Sequence, residues 1–138
     1  MKVVFSKRLY TAVLLSPVFP STNETDHCLQ FQYRLSDSKV TLRVDIIDPA
    51  QSSIITLDTM SYDNQTNASD WNNASIVLAN KFRQVKFVAE KIGYTREFSF
   101  VAVRKIVIHN TSCPKQGNIN FKTELFVYNE TESYVWAC

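Results

Sequence analysis

The residues from Cys28 to Asp48 alternate between apolar and polar side chains over two consecutive stretches. The apolar positions are Leu29, Phe31, Tyr33 and Leu35 in the first stretch, and Val40, Leu42, Val44 and Ile46 in the second. Because successive side chains of a strand point to opposite faces, each stretch predicts a β-strand with one face in a core and the other in water. The turn-forming residues 36–39 separate the two stretches, so we expect an antiparallel hairpin. A strand that is apolar on one face also needs a second layer to cover it.

Shorter apolar segments follow along the chain, at residues 53–57, 71–78, 82–89 and 97–108. Turn residues separate them at roughly ten-residue spacing, and no segment keeps a helical period with caps at its ends. The sequence therefore predicts an all-β protein with an antiparallel two-sheet β-sandwich and little helix. Residues 119–128 and 133–136 predict a final hairpin, with its turn at Asn129.

The first twenty residues have two interpretations. Residues 9–16 predict a strand that ends in a proline-rich turn, which we favour. The alternative is a signal peptide, because a charged start precedes a short apolar run.

Composition excludes several classes of function. The chain has 138 residues, enough for one domain with a real core, and a net charge of +2 without a lysine or arginine block. Nucleic-acid binding is therefore not expected. The only glycines are Gly93 and Gly117, which excludes glycine-rich phosphate loops and the nucleophile elbow. No apolar run approaches the ~18 residues of a membrane-spanning helix. We expect neither catalysis nor a cofactor.

Six of the ten asparagines begin an Asn-x-Ser/Thr triplet, about three times the number expected by chance. These N-glycosylation candidates are Asn23, Asn64, Asn67, Asn73, Asn110 and Asn129. The excess predicts an extracellular or cell-surface protein of the secretory pathway, with N-linked glycans on solvent-exposed loops. We place Asn64 and Asn67 in one polar loop, residues 58–73. Three cysteines in such a protein suggest one disulfide and one remaining thiol.

Four pieces in order carry a resemblance to a known family: residues 14–20, residues 28–33 together with 41–44, residues 71–78 and residues 82–89. In this order and spacing they resemble the MAM domain, an extracellular module of meprins, neuropilins and receptor protein tyrosine phosphatases. The segment Val101–Ile108, followed by Cys113 and Pro114, resembles the end of that module. We accordingly predict a MAM-like sandwich over residues 1–114 and a tail over residues 115–138.

The resemblance implies a jelly-roll sandwich used in adhesion and receptor assembly, with Cys28 and Cys113 paired in a disulfide. Two departures accompany it. The family's first segment, with two further cysteines, has no counterpart here, so the sandwich is expected to be incomplete and prone to oligomerise. Where the family has an acidic pair in its last strand, this chain has Arg104 and Lys105, which would repel a cation.

Metal sites are weakly supported by the sequence. Asp45, Asp48, Asp58 and Asp63 would bind calcium only if they met at one end of the sandwich, and no EF-hand spacing is present. His27 and His109 lie near Cys28 and Cys113, but thiols held in a disulfide cannot bind zinc. No metal site is therefore predicted.

The remaining site predictions concern aromatic residues and the last cysteine. Trp71, Tyr33 and Phe87 are expected in the core, and a lectin-like stacking platform is the alternative. Cys138 is expected to form an interchain bridge or to pair with Cys113.

The function that the sequence favours is non-enzymatic recognition, through homophilic or receptor contacts with a protein partner. Two alternatives stay open: an ancillary domain of a secreted or membrane-bound metalloprotease, and a glycan-binding jelly roll. A metalloprotease would carry its His-Glu-x-x-His motif elsewhere, because this chain has none.

Overall fold

The computed structural model describes residues 2–6, 11–18, 27–48, 53–62, 71–78, 84–92, 99–109, 113, 124–127 and 133–137. These residues form strands and connections and contain no helix. The ten strands are β1 (Lys2–Ser6), β2 (Thr11–Leu15), β3 (His27–Leu35), β4 (Val40–Asp48), β5 (Ser53–Ser61), β6 (Asn72–Leu78), β7 (Gln84–Lys91), β8 (Phe100–His109), β9 (Glu124–Val127) and β10 (Ser133–Ala137).

The strands form two antiparallel sheets that pack face to face, which confirms the predicted all-β sandwich. The first sheet has the order β1-β2-β7-β4-β5, and the second has the order β10-β8-β3-β6, with β9 also paired to β8. Each sheet contributes its apolar face to one core, as the alternation predicts. Phe31 of the second sheet meets Phe87 of the first edge to face, with ring centroids 5.1 Å apart. This contact marks the centre of the sandwich.

The predicted hairpin between β3 and β4 is wrong, because the two strands lie in different sheets. β3 pairs with β6 and β8, whereas β4 pairs with β5 and β7. Both strands therefore have neighbours on both sides, and their apolar stripes face each other across the core. The short connection at residues 36–39 crosses from one sheet to the other.

Asp37 holds this crossing connection in place. Its Oδ1 accepts a hydrogen bond from the Lys39 amide at 2.7 Å, and its Oδ2 accepts from the hydroxyls of Ser36 and Ser99 at 2.9 and 2.8 Å. Ser99 immediately precedes β8, so the carboxylate ties the connection to the second sheet. Burial raises the pKa of Asp37, but the hydrogen bonds and the Lys39 charge outweigh it and leave that pKa below its ordinary value.

A β-bulge in β8 accommodates two consecutive charged residues. Arg104 lies opposite Gln32, and the register to β3 shifts before Val107, which lies opposite Gln30. Lys105 occupies the bulge with φ of 51°, in the left-handed region. The extra residue keeps both Arg104 and Lys105 out of the core and returns Ile106 to it. Without the bulge, strict alternation would direct Lys105 inward.

The two ends of the chain add strands to these sheets. Residues 11–15 confirm the middle of the predicted strand 9–16, and β1 pairs with them. At the other end, β9 and β10 do form, but the predicted hairpin between them is wrong. Each pairs with β8 instead, β10 along residues 100–104 and β9 along residues 107–109. The bulge in β8 lies between the two pairing regions.

Candidate functional site

Cys28 and Cys113 form a disulfide with an S–S distance of 2.07 Å and a Cα–Cα distance of 4.7 Å. This pairing is the one that the resemblance implies. Cys28 lies opposite His109, near the end of β8, so the bridge ties β3 to the segment that follows β8. It therefore reinforces a pair of strands that are already neighbours.

The two histidines near the disulfide lie on opposite faces of the second sheet. His109 shares the face of Cys28, and its Nε2 lies 2.7 Å from Oε1 of Gln30. His27 precedes Cys28 and lies opposite Leu78, a core residue, so it points to the inner face. The two imidazoles therefore do not converge on one ion.

The acidic residues considered for calcium do not gather at one point. Asp45 is 1% exposed and is held by Arg43 at 3.1 Å and by the Thr56 hydroxyl at 2.9 Å. Arg43 also reaches Glu90 at 2.8 Å, so the network links β5, β4 and β7 across the outer face of the first sheet. Asp63 lies outside the described residues. Within the described part of the chain, no group of three His, Cys, Asp or Glu side chains could hold a metal ion.

Two glutamines of β3 organise the outer face of the second sheet. Gln32 donates to Oδ1 of Asn73 at 2.9 Å and accepts from Nε of Arg104 at 2.9 Å. Gln30 donates to the Ser75 hydroxyl at 3.1 Å, and its Oε1 contacts His109. The side chains of β6, β3 and β8 are thus joined in hydrogen-bonded rows across the strands.

Trp71 lies on this outer face, which corrects its predicted place in the core. The Arg104 guanidinium carbon is 4.0 Å from the indole centroid, and that of Arg34 is 5.8 Å away. A guanidinium attracted to an aromatic face accounts for the arrangement. Phe87 and the partly buried Tyr33 do belong to the core, as predicted. We refer to Trp71, Arg34 and Arg104 as the Trp71 cluster.

Strand β5 is an open edge of the first sheet. It has nine residues, yet only Met60 among them is buried, so the strand extends beyond the cover of the second sheet. Ile54 and Ile55 are 57% and 53% exposed and, as neighbours in a strand, point to opposite faces. We call Ile54, Ile55 and the backbone of β5 the β5 edge. Among the described strands, β5 pairs only with β4.

Of the six predicted glycosylation sites, only Asn73 lies among the described residues. It lies in β6, and its side chain is exposed on the outer face. Asn23, Asn64, Asn67, Asn110 and Asn129 lie outside the described residues, as does Cys138.

Sequence reasoning missed the β5 edge and the Trp71 cluster. The predicted strand ended at residue 57, whereas β5 continues to Ser61. The longer strand was missed because the side chains of residues 57–61 do not alternate clearly between apolar and polar. For Trp71, the signal is its position directly before β6 and two residues from Asn73, because residues two apart in an extended segment share a face.

Among the described residues, no helix is long and apolar enough to span a membrane.

Comparison with known proteins identifies the family. No curated protein sequence matches the chain. Among solved structures, a crystal structure from Francisella tularensis str. tularensis SCHU S4 is similar, with a TM-score of 0.40 and 9% identity. The match covers 100% of this chain and 88% of that one. The family model for the MAM domain, meprin/A5/mu, matches residues 2–114, and the chain therefore belongs to the MAM domain family.

Proposed function

We propose that this protein is an extracellular recognition module that binds a second copy of itself through the β5 edge. MAM domains are extracellular modules of the adhesion type and are not catalytic. The disulfide is consistent with passage through the oxidising secretory pathway. Family membership supports protein recognition in general, and the β5 edge supports this particular surface.

The observation that carries the proposal is the length and the composition of β5 as an edge strand among the described strands. An edge strand exposes unpaired backbone groups, and proteins that avoid association shorten such strands or place lysine, proline or a bulge on them. β5 has nine residues, no proline and no lysine, and its one charged residue is Asp58. β5 does carry one bulge, at Leu57, but residues Ser53 to Thr56, which include Ile54 and Ile55, pair with β4 in regular register.

A second copy suits this edge because an antiparallel edge strand is self-complementary under a twofold axis. Pairing β5 of one copy with β5 of another would join the two first sheets into one continuous sheet. The same pairing would bring Ile54 and Ile55 of each copy next to the partner strand. Burial of two large apolar side chains that are now more than half exposed would then favour association.

The test is sedimentation velocity on the secreted, disulfide-bonded protein over a range of concentrations. We expect a reversible monomer–dimer equilibrium for the natural chain and a shift to monomer for the double variant Ile54→Lys, Ile55→Lys. The matched control is Ile92→Lys, because Ile92 is 64% exposed and directly follows β7, away from the β5 edge. It should leave the dimer intact.

A natural chain that stays monomeric at every concentration would refute the proposal. So would a dimer that survives the double variant, or one that Ile92→Lys disrupts equally.

A further inference from the structure

Asn73 is a glycan acceptor that lies within a strand, as the second residue of β6. It is exposed on the outer face of the second sheet, and its triplet continues through Ala74 to Ser75 in β6. β6 is the edge strand of its sheet, so bulky groups on its outer face have room. A glycan here would lie on the sheet surface and not at the tip of a loop.

The surrounding contacts suit the modified side chain. Gln32 donates to Oδ1 of Asn73, and this oxygen remains an acceptor after a sugar is attached to Nδ2. The hydrogen bond therefore fixes the amide orientation while the other end of the amide carries the sugar. The Ser75 hydroxyl also has a defined position, because Gln30 donates to it at 3.1 Å.

Trp71 lies beside the position of the first sugar. Trp71 directly precedes β6, and its contact with Arg104 places it on the same outer face as Asn73. An extended span of two residues covers about 6.5–7 Å, which is within the reach of an N-acetylglucosamine on Asn73. Arg104 holds the indole at 4.0 Å and is itself held by Gln32, the same residue that binds Asn73. The aromatic platform is thus already ordered, so a sugar that packs on it loses little additional entropy.

We propose that Asn73 carries an N-linked glycan whose first N-acetylglucosamine packs on the indole of Trp71 and stabilises the folded domain. The C–H groups on one face of the pyranose ring supply the apolar contact, and the indole supplies a large apolar surface. Glycan, Trp71 and Arg104 would then cover the outer face of the second sheet. This inference concerns the sheet opposite to the β5 edge and does not depend on self-association.

The experiment uses the full chain secreted from eukaryotic cells. The other five acceptors are changed to Gln, at Asn23, Asn64, Asn67, Asn110 and Asn129, and the remaining glycan is trimmed enzymatically to one N-acetylglucosamine. The unglycosylated reference is Ser75→Ala, and Asn73→Gln is a second reference that keeps the Ser75 hydroxyl. Urea unfolding then gives the effect of a single sugar.

We expect the sugar to lower the unfolding equilibrium constant about 2- to 10-fold when residue 71 is Trp, the range typical of aromatic contacts. Trp71→Phe keeps an aromatic surface and should retain much of the effect, whereas Trp71→Thr should abolish it. Independently of stability, the indole ring current should shift the proton resonances of the sugar upfield in the natural sequence.

Three results would overturn the inference. Mass spectrometry could find Asn73 unmodified in the secreted protein. The sugar could stabilise the Trp71→Thr variant as much as the natural sequence. The sugar resonances could lie at the positions found in the unfolded chain.

Discussion

The contact between Phe31 and Phe87 offers a direct test of how the two sheets meet. The two rings come from different sheets, are 2% and 0% exposed, and meet at 5.1 Å. Truncating a buried phenylalanine to alanine costs about 3–5 kcal/mol, a large part of a typical stability of about 5–15 kcal/mol. Leucine substitutions keep most of the volume and should leave the protein folded, so they suit a double-mutant cycle.

We expect Phe31→Leu and Phe87→Leu each to lower the free energy of unfolding, and the double variant to lower it by less than the sum. The missing part is the edge-to-face interaction, about 0.5–1.5 kcal/mol. The assay is urea unfolding of all four proteins with the disulfide intact. A control cycle of Phe87→Leu with Val77→Ala should be additive, because Val77 is exposed on the edge strand β6.

Additivity of Phe31→Leu and Phe87→Leu within about 0.3 kcal/mol would refute the packing described above. It would mean that the two strands do not face each other across one core.

Three further predictions concern the disulfide, the bulge and the crossing connection. In the chain-entropy model, a bridge across 85 residues contributes about 4.6 kcal/mol to stability. The double variant Cys28→Ala, Cys113→Ala should therefore lower the free energy of unfolding, measured in urea, by about that amount. A loss below about 1 kcal/mol would contradict the prediction. Lys105→Gly should stabilise the protein by about 0.5–1 kcal/mol, because glycine adopts the left-handed conformation of residue 105 without steric strain and this gain exceeds the entropic cost of glycine. A lower thermal unfolding temperature for the variant would contradict this prediction. Asp37→Asn should lower the free energy of unfolding at neutral pH, because a carboxylate with a lowered pKa stabilises the fold while it is ionised. The difference in unfolding free energy between this variant and the natural protein should shrink as the pH falls below about 4. A difference that does not change with pH would contradict the prediction.

The alternation of side chains was enough to predict the class of fold and the inward face of each central strand. Leu29, Phe31 and Leu35 of β3, and the apolar stripe of β4, point inward as expected. Alternation says which face of a strand is buried but not which strand pairs with it. That is why β3 and β4, joined by only four residues, were predicted as a hairpin although they lie in different sheets. The same limit explains β9 and β10.

The surface features depend on details that a pattern of apolar residues does not record. Trp71 is large and apolar, so the sequence favours burial, but the guanidinium groups of Arg104 and Arg34 lie over its ring at 4.0 and 5.8 Å on the outer side of the sheet. Asp45 lies on the polar stripe of β4 yet is buried, because Arg43 and Thr56 compensate its charge and cover it.

The most direct test of the account is peptide mapping of the secreted protein without reduction. A linked pair of peptides containing Cys28 and Cys113 would place β3 beside the end of β8, as in the structure, and would support passage through an oxidising compartment. A bridge from Cys28 to Cys138, or Cys28 and Cys113 both found as free thiols, would contradict the fold and the extracellular role together.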